Sequence, residues 1–166
     1  MTAKLSSLAE VQSHPTITTW LVAVDVRSAY NVGAMFRTAD GTGSTGIILA
    51  GYSPTPENPK VNKTALGAEF HVPWFVVSDP TELFSKTSFA HIGLETTQKA
   101  QNIFTWTPTK RKLFLYVGNE VTGLPLSVMT GLKEFVRIPM VGLKQSLNVA
   151  EAASIAMYEL FRKTQE

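Results

Sequence analysis

Three short stretches carry the residue types from which a site could be made: NVGAMFRTA at 31–39, VGNEVTGLP at 117–125, and IPM at 138–140 followed by SLNV at 146–149. Each places glycine or small polar residues where a strand-like pattern hands over to a helix-like one, and that is where α/β folds keep their ligand sites. Gly118 and Gly123 let backbone approach a flat ligand, and the carbonyls and amides of 118–125 and 138–140 can read its edge. Arg37 lies one helical turn beyond Gly33, so a permanent positive charge sits beside a position whose missing side chain leaves room for a substrate. The chain has no cysteine, which removes disulfides, thiolate nucleophiles and cysteine-based zinc sites. His14, His71 and His91 show none of the close spacings of a metal motif. The chemistry left to this set is binding and positioning, without a metal.

The elements that hold these stretches are written in the remaining pattern. A length of 166 residues, 44% hydrophobic and 17% charged, suits one folded domain able to bury roughly 70% of its unfolded surface. Residues 1–16 lack a sustained period and read as an arm or frayed helix ending near Pro15, with a single domain over 17–166. The run TWLVAVDV at 19–26 is apolar and branched, as in a strand covered on both faces, and leads into Val32, Met35, Phe36 and Ala39 at helical spacing. Further strands are expected at 46–50, 72–77, 89–95, 113–118 and 135–138. A proline-bearing loop is expected at 51–59, a helical turn at 64–69 and a helix start at 80–85. The strongest helix pattern is 149–162, with Ala152, Ala153, Ile155, Ala156 and Leu160 in its apolar stripe. Strands alternating with helices predict an α/β fold, a mostly parallel sheet with helices on both faces.

The longest apolar runs fall well short of the roughly 18 residues of a membrane span. No continuous apolar stretch precedes Trp20, so a cytoplasmic protein without a secretory leader is expected. A net charge of +2 neither demonstrates nor excludes a polyanionic partner. GTGSTG at 41–46 spells the dinucleotide fingerprint, but it closes a helical pattern and precedes a strand. A fingerprint must do the reverse, so a helix cap and turn is the better reading.

Together, NVGAMFRTA, LYVGNEVTGLP, IPM and SLNVAEAASIAMYEL resemble the ordered motifs of the SpoU/TrmH-type branch of the SPOUT superfamily, the S-adenosylmethionine-dependent RNA 2′-O-ribose methyltransferases. The resemblance runs from about residue 20 to residue 162. It implies a sheet whose C-terminal part is tied into a deep trefoil knot, against the general rule, and a homodimer with the site close to the subunit interface. It further implies S-adenosylmethionine as cofactor and tRNA or rRNA as substrate. No sizeable appended RNA-binding domain is expected, and the RNA, the nucleotide and any accessory protein are left open.

By the same resemblance the cofactor pocket comprises Gly118, Glu120, Gly123, Ile138 and Met140, with Leu147 closing over the adenine and Thr96 or Thr97 as a further contact. The catalytic set is Asn31, Arg37, Glu120, Ser146 and Asn148. The family assigns the matching arginine to activating the hydroxyl, yet a guanidinium, which keeps its proton under all ordinary conditions, is a poor proton acceptor. Arg37 is better suited to holding the adjacent phosphate and stabilising the developing alkoxide, the proton leaving through phosphate or water. Glu120 would orient Arg37, and Ser146 and Asn148 would position phosphate or ribose. Plainer readings stand beside these: Asn31, Ser146 and Asn148 as helix caps, Pro125 as a first helical residue, Gly118-Asn119 as an ordinary turn, and Arg37 as a solvated surface charge. Lys60, Lys63, Lys110, Arg111, Lys112 and Lys144 could meet phosphates or be ordinary scattered surface cations, and the run Lys110-Arg111-Lys112 could equally be the charged flank of the buried strand that follows it. Two rival functions are a non-catalytic RNA-binding relative and a nucleotide-binding oxidoreductase.

Overall fold

The structure, a computed structural model, describes residues 3–86 and 88–165. The branched apolar run beginning at Thr19 forms β1 (Thr19–Val24), and every residue in it is buried. Such a strand belongs in the middle of a sheet with helices on either side. It pairs in parallel with β2 (Thr45–Ala50) on one flank and β6 (Leu113–Val117) on the other. With β3 (Trp74–Val77), β4 (Ala90–Leu94), the two-residue β5 (Gln101–Asn102) and β7 (Glu134–Arg137), they make one parallel seven-stranded sheet in the order β3-β2-β1-β6-β4-β7-β5. β5 lies in the connection from β4 to β6 yet pairs with the far side of β7. The strand β7 therefore runs between β4 and that connection.

One face of the sheet is covered by α2 (Ala29–Thr42) and α5 (Val149–Gln165), which pack on each other; Val32, Met35, Phe36, Ala153 and Met157 meet Leu21 and Ala23 there. The other face buries Trp20, Val22, Phe114 and Tyr116 beneath Leu83, Val128 and Val11. Val128 comes from α4 (Leu126–Gly131), Leu83 from a 3₁₀ turn at Pro80–Ser85, and Val11 from α1 (Leu8–Ser13) in the N-terminal arm. The arm is tied down: the Leu5 amide donates to the Trp74 carbonyl at 2.7 Å and the Trp74 amide to Ala3 at 3.1 Å. Lys112 donates to the carbonyls of Gln12 and His14, both at 3.3 Å. Lys110 donates to Phe89 O, so two of the three cations at 110–112 secure the fold. No helix among the described residues is long and apolar enough to cross a membrane.

The ends of the helices correct several expectations. Ser28 caps α2, accepting from the Asn31 amide at 3.3 Å, which places Asn31 in the first turn with its side chain available elsewhere. Gly43 closes the same helix with φ 64°, so the apparent dinucleotide fingerprint is a left-handed C-cap leading into β2. The loop expected at 51–59 ends in a helix, α3 (Pro59–Ala65), because Asn58 accepts from the Lys60 amide and Pro59 starts the first turn. Pro125 is the cap residue of α4 and not its first helical residue. Asn148, not Ser146, caps α5, its Oδ1 accepting from Ala150 at 2.8 Å and Glu151 at 3.3 Å. The buried stripe of α5 is Ala150, Ala153, Ala156, Met157 and Leu160, while Ala152 and Ile155 are less covered.

Gly33 is buried against α3, not open to a substrate. A Cβ there would collide with the Thr64 hydroxyl and the Val61 carbonyl and lie 2.9 Å from the Ala65 amide nitrogen. Gly33→Ala should therefore cost about 3 kcal/mol by prying α2 from α3. At Gly142 a Cβ meets nothing within 4 Å, so Gly142→Ala should change stability by no more than about 0.5 kcal/mol. Urea unfolding of the two variants checks the contrast.

Candidate active site

Because β1 and β6 are neighbours and parallel, the loops that leave their C-terminal ends emerge side by side. The β6 loop is a tight reversal: the Asn119 amide donates to Gly123 O at 3.0 Å and the Gly123 amide to Asn119 O at 2.9 Å. Asn119 also accepts at Oδ1 from the amides of Val121 and Thr122, at 2.8 and 3.2 Å. Gly123 turns the chain at φ 70°, a conformation glycine adopts without a Cβ penalty. A Cβ on Gly118 would collide with the backbone of Gly123 and Leu124. The missing side chain of Gly118 thus serves the loop's own closure, and only secondarily the approach of a ligand.

At the tip of this reversal stands Glu120. Its carboxylate accepts from the amides of Arg27 and Ser28, each at 2.9 Å, and from Asn31 Nδ2 at 2.8 Å. Asn31 Oδ1 in turn accepts from Asn148 Nδ2 at 3.3 Å. One side-chain relay therefore joins all three stretches that the sequence singles out. Partial burial pushes the Glu120 carboxyl upward, but the Arg27 and Ser28 amides and the Asn31 side chain outweigh it and hold the group below its ordinary value.

Next to this relay a cleft opens between the ends of β4, β6 and β7 and the 138–148 segment. Thr96, Gly118, Glu120, Gly123, Ile138, Met140, Ser146 and Leu147 line it; Thr97 does not. Asn31 and Asn148 are not among its lining residues and reach it through Glu120. Two lining residues outside the expected set hold the cleft's shape. Glu95 accepts from the Leu124 amide at 3.1 Å and the Thr96 amide at 3.0 Å. Asn119 Nδ2 donates to Asp25 O and to the Tyr52 hydroxyl, both at 3.0 Å. The signal for Glu95 is a carboxylate at the C-terminal end of a buried strand; that for Asn119 is an asparagine before a tight glycine turn.

Arg37 stands apart. Six residues beyond Asn31 on one helix, it points roughly 120° away around the axis. It is exposed in a separate hollow with Thr38, Lys63 and Tyr158. Among the described residues it makes no hydrogen bond or ion pair, and Glu120 does not orient it, since the carboxylate's oxygens are taken by Arg27, Ser28 and Asn31. No group of three or more His, Asp or Glu residues that could hold a metal occurs among the described residues.

A model of the SpoU rRNA Methylase family matches residues 18–158. The chain is 30% identical over 150 residues to a Staphylococcus aureus (strain MSSA476) protein named for the TrmH family of tRNA/rRNA methyltransferases, which covers 89% of this chain and 60% of that one. It is 31% identical over 141 residues to the 23S rRNA (uridine(2479)-2'-O)-methyltransferase of Streptomyces viridochromogenes, covering 80% of this chain and 48% of that one. Among solved structures it resembles the SpoU methyltransferase AviRb from Streptomyces viridochromogenes in complex with the cofactor AdoMet. That match has a TM-score of 0.83 at 26% identity and covers 98% of this chain and 63% of the other. The chain thus spans 60% or less of the length of these two curated relatives.

Glu120→Gln should destabilise the protein by about 1 kcal/mol at neutral pH, a value reduced for the exposure of the side chain. Because the folded carboxyl is depressed, its contribution is fully present above the ordinary value of 4.5 and is lost as pH falls through the lower folded value. Urea unfolding at several pH values should show the wild-type advantage steady above about pH 5.5 and shrinking in acid.

Proposed function

Since the chain belongs to the SpoU rRNA Methylase family, we propose that it uses S-adenosylmethionine to methylate the ribose 2′-hydroxyl of a tRNA or rRNA nucleotide. The observation that carries this reading is the Glu120–Asn31–Asn148 relay beside the cleft, which assembles three distant stretches at one point. The domain is 17–166, preceded by the arm at 1–16, and the place of work is the cytoplasm.

The cleft suits an adenosine. Met140 and Leu147 offer apolar surface, and the main-chain amides of 140–147 donate to nothing among the described residues, so they can read a polar edge. Thr96, Gly118, Glu120, Gly123, Ile138, Met140 and Leu147 would hold the cofactor. When bound, S-adenosylmethionine supplies an electrophilic methyl group. The chain's own task is to place a hydroxyl and a phosphate beside it. Glu120 is ionised and accepts from three donors, so it is a positioning residue and a poor base. Asn31, Asn148 and Ser146 present amide and hydroxyl groups to ribose or phosphate. Arg37 holds the phosphate and stabilises the alkoxide, and the proton leaves through phosphate or water.

Because Arg37 does not line the cleft of its own chain, the complete site is that of a homodimer, with Arg37 of one copy serving the cleft of the other. Supporting this are Ile155 and Tyr158 on the outer side of α5, 36% and 50% exposed. Tyr158 borders the hollow of Arg37. We also read the C-terminal part as a deep trefoil knot. In support, β7 runs inside the β4–β6 connection, α5 beyond it returns to α2 and β1, and Lys163 donates to the carbonyls of Phe104 and Trp106 in that connection.

Calorimetry should find adenosylhomocysteine bound at about one site per chain and no saturable binding of NAD; the reverse pattern contradicts the assignment. Arg37→Ala should slow single-turnover methyl transfer to RNA by about 10²- to 10³-fold. Cofactor affinity should stay within about two-fold, since the role lies at the substrate. Arg37→Lys keeps the charge and loses the planar fork, so partial activity assigns electrostatics and no activity assigns bidentate clamping. A wild-type rate in Arg37→Ala removes Arg37 from the mechanism.

A further inference from the structure

Tyr52 is the exposed aromatic nearest in bonding to the cleft, and it is held in place from two directions. It stands two residues beyond the end of β2 and is 62% exposed, yet its hydroxyl accepts from Asn119 Nδ2 at 3.0 Å, and Asn119 lines the cleft. Its backbone amide donates to Asp25 Oδ1 at 3.2 Å. The next residue is locked as well: the Ser53 hydroxyl donates to Ala23 O at 2.8 Å and accepts from the Val26 amide at 2.9 Å. With the hydroxyl end bonded, the exposure belongs to the ring. An aromatic ring on the surface that is fixed beforehand loses little freedom when a flat group lies on it.

The surroundings select the flat group. Arg27 follows the turn at Asp25 that holds the Tyr52 amide, its own amide is bonded to Glu120, and its exposed side chain has no acidic partner among the described residues. An exposed aromatic beside an unpaired cation is how proteins hold single-stranded nucleic acid, through base stacking on the ring and a phosphate contact next to it.

We propose that Tyr52 is a substrate-positioning residue that stacks on an unpaired RNA base close to the methylated ribose, with Arg27 against the neighbouring phosphate. This rests on RNA being the substrate.

The test compares Tyr52→Leu, Tyr52→Phe and Tyr52→Trp in binding to tRNA and rRNA fractions isolated from cells deleted for the gene. Adenosylhomocysteine affinity and light scattering are measured on the same preparations. Tyr52→Leu should weaken RNA binding and raise the RNA KM by about ten-fold, while the phenylalanine and tryptophan variants stay within about three-fold of wild type. Cofactor affinity and assembly should be unchanged in all three. RNA binding at the wild-type level in Tyr52→Leu overturns the proposal. So does a phenylalanine variant as weak as the leucine one, which would assign the effect to the Asn119 bond. Parallel loss of cofactor affinity, or a change of oligomeric state, would make Tyr52 a structural or subunit contact and likewise overturn it. Failure of the wild-type protein to bind either RNA fraction would instead remove the functional reading on which the proposal stands.

Discussion

The carboxylate of Glu120, bonded to two backbone amides at the start of α2 and to the Asn31 side chain, is the interaction on which the candidate site depends. A helix start leaves amides without partners and carries partial positive charge, and a carboxylate satisfies both needs at once. Here the carboxylate comes from a different strand loop, 89 residues away from Asn31 in sequence. It can reach only because β1 and β6 pair in parallel, Ala23 opposite Val117, so that both loops leave the sheet at the same level. Sheet register thus becomes side-chain geometry. The two asparagines then extend the connection to the start of α5.

This arrangement separates the duties of the charged groups. Glu120 spends its acceptor capacity on the protein itself and stays ionised, which makes it a strut. Arg37 has no such ties, and its position in a hollow away from the cleft is intelligible if the proposed dimer completes the site. The apolar outer surface of α5 and the hollow of Arg37 share Tyr158. The same surface that would draw two copies together would then also deliver the cation to the reacting hydroxyl.

Strand positions were legible because fully buried parallel strands announce themselves as branched apolar runs, and the ends that differed did so where local chemistry intervened. The first strand stops at Val24 because Asp25 turns with φ 51°. The helix α3 begins inside an expected loop because the Asn58-Pro59 pair starts helices as readily as it marks turns. Gly33 and Gly118 share one lesson: a missing side chain signals close approach but not by what. At Gly33 the approaching group is α3, through the Thr64 hydroxyl and the Val61 carbonyl, and at Gly118 it is the backbone of Gly123 and Leu124. Most of the motif residues of the 118–123 and 138–147 stretches line one cleft, but the bond from Glu120 to Asn31, and the placing of Arg37 in a separate hollow, depend on helix phase across two elements, which no local pattern contains. The similarity of the motifs to one family supplied what spacing could not, namely the expectation of a cofactor and of RNA.

The most direct measurement is the identity of the product. RNA from cells deleted for the gene is incubated with the protein and S-adenosylmethionine carrying a labelled methyl group, then digested to nucleosides and resolved by chromatography and mass spectrometry. The account predicts label in one 2′-O-methylated nucleoside. Label on a base, or no transfer to RNA by protein that binds the cofactor, would contradict it.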